Sequence, residues 1–220
     1  MTSPRRSQRT ERILLQAMEE VLGEQGLRLV FQAAHKLAAQ STGSAEPSTE
    51  ILWPERQPIP FDTAGLSSMP FLGCLLAAFE EVYGQLAGRG LLLRVGRAAF
   101  PYGLREYGVN LGLTTMAFRL LPFPAKLRAF GSALGSLFNE PESQRLEIEE
   151  QAGKLLVHLT GCPLCFKRLG SEPVCQLAVG LAEESLYWLS GGKIFQVEEI
   201  ACAACGDADC TLQIDEAPIS

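Results

Sequence analysis

From residue 10 to residue 25, apolar side chains return at Ile13, Ala17 and Val21 and again at Leu14, Met18 and Leu22. That three-and-four spacing is a helix with one buried face. Gly23 and Gly26 mark its end. A second helix is predicted over 27–39, with Leu29, Val30, Ala33 and Leu37 turned inward. The next stretch, STGSAEPSTEILWPERQPIP, holds four prolines among Ser and Thr and reads as a loop, with Trp53 anchoring it to the core. Pro70 suits the first turn of a helix. The helical pattern then continues to Leu86 and ends at Gly88 and Gly90. Further helices are predicted over 91–107, over 110–121 before the stop LPFPAK, and over 125–138. The first 140 residues thus read as almost entirely helical and strongly apolar.

At Pro141 the period changes. RLEIEEQAGKLLVHLTG alternates in twos about Ala152-Gly153, a β-hairpin pattern. A helix follows over 172–189 and stops at Ser190-Gly191-Gly192. IFQVEEIACAACGDADCTLQID then gives a second hairpin, turning at Gly206-Asp207. The order β-β-α-β-β behind a helical half predicts an α+β fold, the helices packed on a four-stranded antiparallel sheet. Residues 1–60 are assigned to N-terminal helices and a loop and 61–220 to the main domain, the whole forming one compact unit.

A chain of 220 residues is long enough to bury a good core, and 47% apolar with 20% charged residues is an ordinary globular balance. The net charge of −6 argues against direct binding to nucleic acid phosphates. The basic RRSQRTER at the start reads as a solvated terminus. No apolar run reaches the ~18 residues that span a bilayer. Beyond the first arginines the chain is amphipathic and carries Glu19 and Glu20, where a signal peptide would have its apolar core. The expected location is cytoplasmic. There the seven cysteines would be reduced thiols, suited to metal binding or redox chemistry more than to a disulfide framework.

Cys202 and Cys210 flank the turn of the second hairpin and can face each other across it. Glu199 lies three residues before Cys202, which on a flat strand puts it on the opposite face. A shared site therefore requires a bulge or the end of pairing there. Cys175, which opens the preceding helix, can be brought beside the far end of the hairpin. Three thiols and a carboxylate fill the tetrahedron of one zinc ion, and a filled shell is structural. The plain alternative is a set of unrelated buried thiols and an exposed glutamate.

Cys162 and Cys165 form a second pair, CPLC, open to use as a second half-site, an iron–sulfur ligand pair or a thiol redox switch. Cys205 reads as a spare thiol in the turn, and Cys74, in LGCLLAAF, as core. His35 is placed at the surface, and His158 on the strand face away from Leu155, Val157 and Leu159. No Ser-His-Asp arrangement, phosphate-cradling loop or dinucleotide fingerprint is present.

EPVCQLAVG followed by VEEIACAACGDADCTLQI resembles the end of the 4-vinyl reductase domain. That family includes a bacteriochlorophyll-synthesis accessory protein and the sensor modules of phenol- and toluene-responsive transcription activators. The resemblance covers 170–215 best, and GRGLLLRVGRAAFPYGLREYG looks like the family's helical part. It implies a fold like that of the TRAPP vesicle-tethering subunits and, as zinc ligands, Cys175, Glu199, Cys202 and Cys210. The sequence departs from the activators in carrying the CPLC pair and in lacking their ATPase and DNA-binding domains.

The resemblance further implies a domain, often homodimeric, that holds a hydrophobic small molecule: a phenol, a lipid or a tetrapyrrole. Phe118, Leu121, Phe123 and Trp188 are candidate pocket walls, within an apolar cavity expected between residues 91–138 and the helix that begins at Cys175. An accessory or carrier role in bacteriochlorophyll synthesis would use the same pocket. A true vinyl reductase needs a hydride or electron source, which here only an iron–sulfur centre on Cys162 and Cys165 would supply.

Overall fold

In a computed structural model the chain is described over residues 4–42, 69–139, 144–166 and 168–219. The predicted loop around Trp53 lies outside those residues.

The first helix, α1 (Pro4–Thr42), is two helical segments that meet at Gly23, whose φ of 67° and ψ of 172° no helix contains. The two predicted helices are therefore present, joined end to end at the predicted glycine. Their apolar stripe (Leu15, Met18, Leu27, Val30) packs on Leu75, Leu76 and Phe79 of α2 (Met69–Tyr83) and on Leu92 and Val95 of α3 (Gln85–Tyr107). Removing such side chains from water is the main favourable term in holding the three helices together.

Two predicted boundaries are corrected by the structure. The break between α2 and α3 falls at Gly84, with φ 80°, and not at Gly88 and Gly90, which lie inside α3. Gly88 is a contact point: a Cβ there would stand 2.6 Å from the carbonyl oxygen of Phe79. The predicted helix over 110–121 shrinks to α4 (Met116–Arg119). Gly112 turns the chain with φ 72°, and Thr115 Oγ1 then caps α4 by accepting from the Phe118 N–H at 3.2 Å. Next, α5 (Phe123–Phe138) starts behind Pro122, with a second proline in its first turn.

Four antiparallel strands complete the fold: β1 (Arg145–Gln151), β2 (Lys154–Thr160), β3 (Val197–Ala201) and β4 (Cys210–Asp215), in the order β1-β2-β4-β3. Both hairpins form at the predicted turns. Leu146 pairs with Leu159, and Leu159 in turn with Cys210. Between the hairpins runs α6 (Gln176–Ser190), ended by Gly191 in the left-handed conformation. One face of α6 sends Leu186 toward Leu155, Phe195 and Ile214, tying it to the sheet. No helix among the described residues is long and apolar enough to cross a membrane.

The other face of α6 lies on α3 at backbone distance. A Cβ on Gly180 would stand 1.9 Å from the Leu93 carbonyl oxygen, and one on Gly96 would stand 2.1 Å from that of Leu177. The obstacles are main-chain atoms, which cannot rotate aside. Gly96→Ala and Gly180→Ala should each cost about 1–3 kcal/mol or more and lower Tm by several degrees. Either change alone separates the same two helices, so the double variant should lose less than the sum. Thermal melts of the three variants check this; unaltered Tm values would rule out the contact.

Candidate metal centre

Three segments converge at one end of the sheet. The first is the loop from Gly161 to Val174, which leaves β2 and carries Cys162 and Cys165. The second is the start of α6, where Cys175 takes the N-cap position. The third is the β3–β4 hairpin, with Glu199, Cys202 and Cys210. Cys175, Cys202 and Cys210 are fully buried, and Cys162, Cys165 and Glu199 nearly so. Val174, Ala204, Leu159, Leu164 and Ala178 close an apolar wall around the thiols.

A site shared by Glu199 and Cys202 requires a bulge between them, and one is present. β3 pairs Glu199 with Leu212, and the register then slips before Ala201 meets Thr211. The slip lets a carboxylate and a thiol three residues apart face one space. After Cys202 the chain makes a short 3-10 turn, Ala203–Cys205, closed by Gly206 with φ 100°. Asp207 Oδ2 accepts from the Cys202 N–H at 2.8 Å and so holds the turn. The Ala203 N–H donates to Cys210 Sγ, 3.4 Å away.

Two overlapping ligand sets result. Cys175, Glu199, Cys202 and Cys210 place one ligand atom each within 4.8 Å of one another, and so do Cys162, Cys165, Cys175 and Cys210. The sulfur separations are 3.6 Å for Cys162–Cys175, 3.4 Å for Cys165–Cys210, 3.7 Å for Cys175–Cys210 and 3.9 Å for Cys202–Cys210. A zinc–sulfur bond of about 2.3 Å places tetrahedral sulfurs about 3.8 Å apart.

Glu199 gives the sharper test of fit. Its Oε2 accepts from the Cys175 N–H at 2.7 Å, while Oε1 is buried with no hydrogen-bond partner. A carboxylate oxygen in that position is costly unless a cation answers it, and a thiophilic divalent ion among these donors would do so. The reading of Glu199 as an exposed bystander is thereby corrected.

The protonation balance agrees. Burial, reinforced by the hydrogen bond with Cys202, pushes Glu199 up to about 8. The hydrogen bond from Cys175 lowers Cys202 to about 5 against the opposing effect of burial. Among the other thiols, hydrogen bonding with Cys162 leads in pushing Cys175 and Cys210 up and Cys165 down.

Arg168 is the functional residue that sequence reasoning missed. It is buried at 8% exposure, and its guanidinium donates to Glu80 Oε1 on α2 at 2.8 Å and to the Val174 carbonyl at 3.0 Å. It thereby fixes the cysteine loop to the helical half. The loop's second support is Gly73 of α2, where a Cβ would strike the Phe166 carbonyl oxygen at 2.3 Å. In the sequence Arg168 is one basic residue in a loop, with nothing to mark its burial.

The remaining candidates fall as follows. Cys205 is exposed in the turn, as expected, and Cys74 is half-buried instead of core. His158 is half-buried between Glu149, at 3.3 Å, and Thr211, at 3.3 Å. Phe118 and Trp188 stack with centroids 5.8 Å apart, and Phe123 stacks on Phe195 at 5.3 Å. Leu121 is exposed. An open groove of about 620 Å³ lies farther along α5, between it and β1, lined by Leu127, Gly131, Ser132, Leu146 and Ile148 among others.

The sequence matches no protein-family model, and no curated protein matches it. Among solved structures the chain is similar to an H-NOX protein from S. oneidensis in the Fe(II)NO ligation state. That match has 10% identity and a TM-score of 0.51 over 92% of this chain and 97% of that one. An Fe(II) unliganded H-NOX protein from K. algicida gives 13% identity and 0.45 over 94% of each chain. The phenol-responsive sensory domain of the transcription activator PoxR gives 20% identity and 0.47 over 67% of this chain and 74% of that one. The first of these likenesses shows the fold, a helical part leading into an antiparallel sheet.

Zinc binding at thiols releases protons, so its contribution to stability grows with pH. In the metal-free chain Glu199, with its pKa raised, loses stability as pH rises from 4.5 toward about 8. Cys202, with its pKa lowered from 9.0 to about 5, gains stability over nearly the same window and offsets it. The Tm gap between zinc-loaded and chelator-treated protein should therefore widen as pH is raised from about 5 to about 8. A gap independent of pH would exclude metal at these thiols. Cys202→Ser and Cys210→Ser should each lower the Tm of the zinc-loaded protein by about 6 °C or more, the cost of breaking a buried charged set.

Proposed function

We propose that the chain is a binding domain of the 4-vinyl reductase type, in which a structural zinc ion on Cys175, Glu199, Cys202 and Cys210 braces a small-molecule site. The observation that carries the metal is the buried, partnerless Oε1 of Glu199 beside three thiols. With its four positions filled by protein, such an ion supplies fixed geometry and no open site for chemistry. Its effect is on the fold: it joins the start of α6 to the hairpin tip.

The ligand is a hydrophobic small molecule: a phenol, a lipid or a tetrapyrrole, as the sequence resemblance to aromatic-sensing domains implies. Two features support a place for it along α5. The α5–β1 groove has an apolar floor of Leu127, Leu146 and Ile148 with a polar rim, Arg128 and Glu150, paired at 3.2 Å. Its volume of about 620 Å³ falls in the range of ordinary ligand sites. Behind α5 the layer of Phe100, Phe118, Phe130 and Trp188 joins it to α3 and to the C-terminal half of α6.

A redox or iron–sulfur role for the CPLC pair is the second reading, favoured by its position against Cys175 and Cys210. The geometry favours single ions. In a four-iron cluster each thiolate holds a different iron, which spreads the sulfurs beyond the edge of one tetrahedron.

Zinc-loaded protein screened by thermal shift against phenols, fatty acids and porphyrins should respond to one class. At ligand about 100-fold above Kd the gain is about 2.7 kcal/mol. Ser132→Trp, which fills the groove from an exposed position on α5, should abolish that gain without lowering the Tm of the free protein. A shift that survives the substitution would move the site elsewhere, and no shift with any class would remove the small-molecule reading.

A further inference from the structure

We propose that the CPLC pair completes a second tetrahedral metal site, so that the chain holds two zinc ions bridged by the thiolates of Cys175 and Cys210. This rests on the first zinc site proposed above and extends it.

The six donors divide into two quartets that have two members in common, Cys175 and Cys210. Two tetrahedra that share two corners share an edge, here the 3.7 Å line between those sulfurs. Glu199 and Cys202 are terminal donors on one side of that edge, and Cys162 and Cys165 on the other. Each terminal thiol of the second quartet stands at tetrahedral-edge distance from a bridging sulfur: Cys162 from Cys175 at 3.6 Å and Cys165 from Cys210 at 3.4 Å. A thiolate sulfur has lone pairs enough for two metal bonds, whereas neither the terminal carboxylate nor the terminal thiols are asked to bridge.

Charge gives independent support. Three thiolates and a carboxylate with one divalent ion leave −4 + 2 = −2 in a dry space. Five thiolates and the carboxylate with two ions leave −6 + 4 = −2. The second ion thus admits the CPLC thiolates without adding net charge to the buried site. Soft thiolate donors at this spacing select zinc-like ions over magnesium or calcium.

The loop is built to deliver the pair. Arg168 locks it to Glu80 and to the Val174 carbonyl, and the Gly170 N–H donates to the Ala204 carbonyl at 3.0 Å in the opposing hairpin turn. Cys162 and Cys165 are therefore held over the shared edge before any metal arrives.

Zinc per chain, measured by native mass spectrometry and elemental analysis on the full chain, tests this directly. Two ions are expected in the unaltered protein, one in Cys162→Ser/Cys165→Ser and one in Glu199→Gln/Cys202→Ser. One ion in the unaltered protein, kept in Cys162→Ser/Cys165→Ser, would overturn the second site and leave the first standing. One ion lost in Cys162→Ser/Cys165→Ser but kept in Glu199→Gln/Cys202→Ser would overturn both. A cobalt titration of the unaltered, metal-free chain needs no variant to fold. Bridged cobalt ions couple magnetically, so the high-spin resonance should grow with the first equivalent and be largely lost by the second. A resonance that grows steadily through two equivalents, or saturates at one, would overturn the bridged pair.

Discussion

Five thiols and one carboxylate share one dry space at the end of the sheet, the carboxylate with one oxygen unpartnered. The rest of the C-terminal half is arranged around that constraint. Cys175 must begin α6, so the helix enters the fold at the cluster. Cys210 must begin β4, so the sheet is pinned there by its pairing with Leu159 on β2. The described residues of the loop between β2 and α6 form no helix or strand, and they are positioned by Arg168 and by the close approach of Gly73 to Phe166. Buried polar groups so placed are costly when unsatisfied and rigid when satisfied. A metal ion at these donors would satisfy them, and folding and metal binding would then become one equilibrium.

The helical half meets the cluster through two kinds of contact. At Gly96 and Gly180 the helices α3 and α6 touch backbone to backbone, which fixes the axis along which Cys175 is presented. At Arg168–Glu80 a part-buried ion pair ties the cysteine loop to α2. The aromatic layer of Phe100, Phe118 and Trp188 fills the space between α3, α4 and α6. These contacts pack α5 and α4 against α3 and the C-terminal half of α6.

Much of this was legible in the residue pattern. The change of period at Pro141 located the border between helices and sheet, and both hairpin turns were marked by Gly153 and Gly206. The offset of three between Glu199 and Cys202 called for a bulge or the end of pairing if they share a site, and β3 has the bulge. Distances set by tertiary packing were not legible. Gly88 looks like a helix stop and is a contact with α2, because glycine gives one sequence signal for two physical needs. Gly84 carries the break instead. Arg168 left no mark, since its burial depends on Glu80, 88 residues earlier in the chain. Phe118, Phe123 and Trp188 were expected to line a pocket, and the stacking of Phe118 on Trp188 and of Phe123 on Phe195 became visible only once the elements were placed.

The bulge in β3 has a consequence for how the protein behaves in a crowd. β3 and β1 are the outer strands of the sheet, and an outer strand offers unpaired main-chain donors and acceptors to any passing chain. On β1 the exposed Glu147, Glu149 and Glu150 repel a second copy approaching in register. β3 is short, and its ladder is interrupted between Glu199 and Ala201, so an incoming strand cannot continue the pairing past that point. The irregularity that turns a carboxylate inward therefore also spoils the strand as a template, and guards the sheet against growing edge to edge into aggregates.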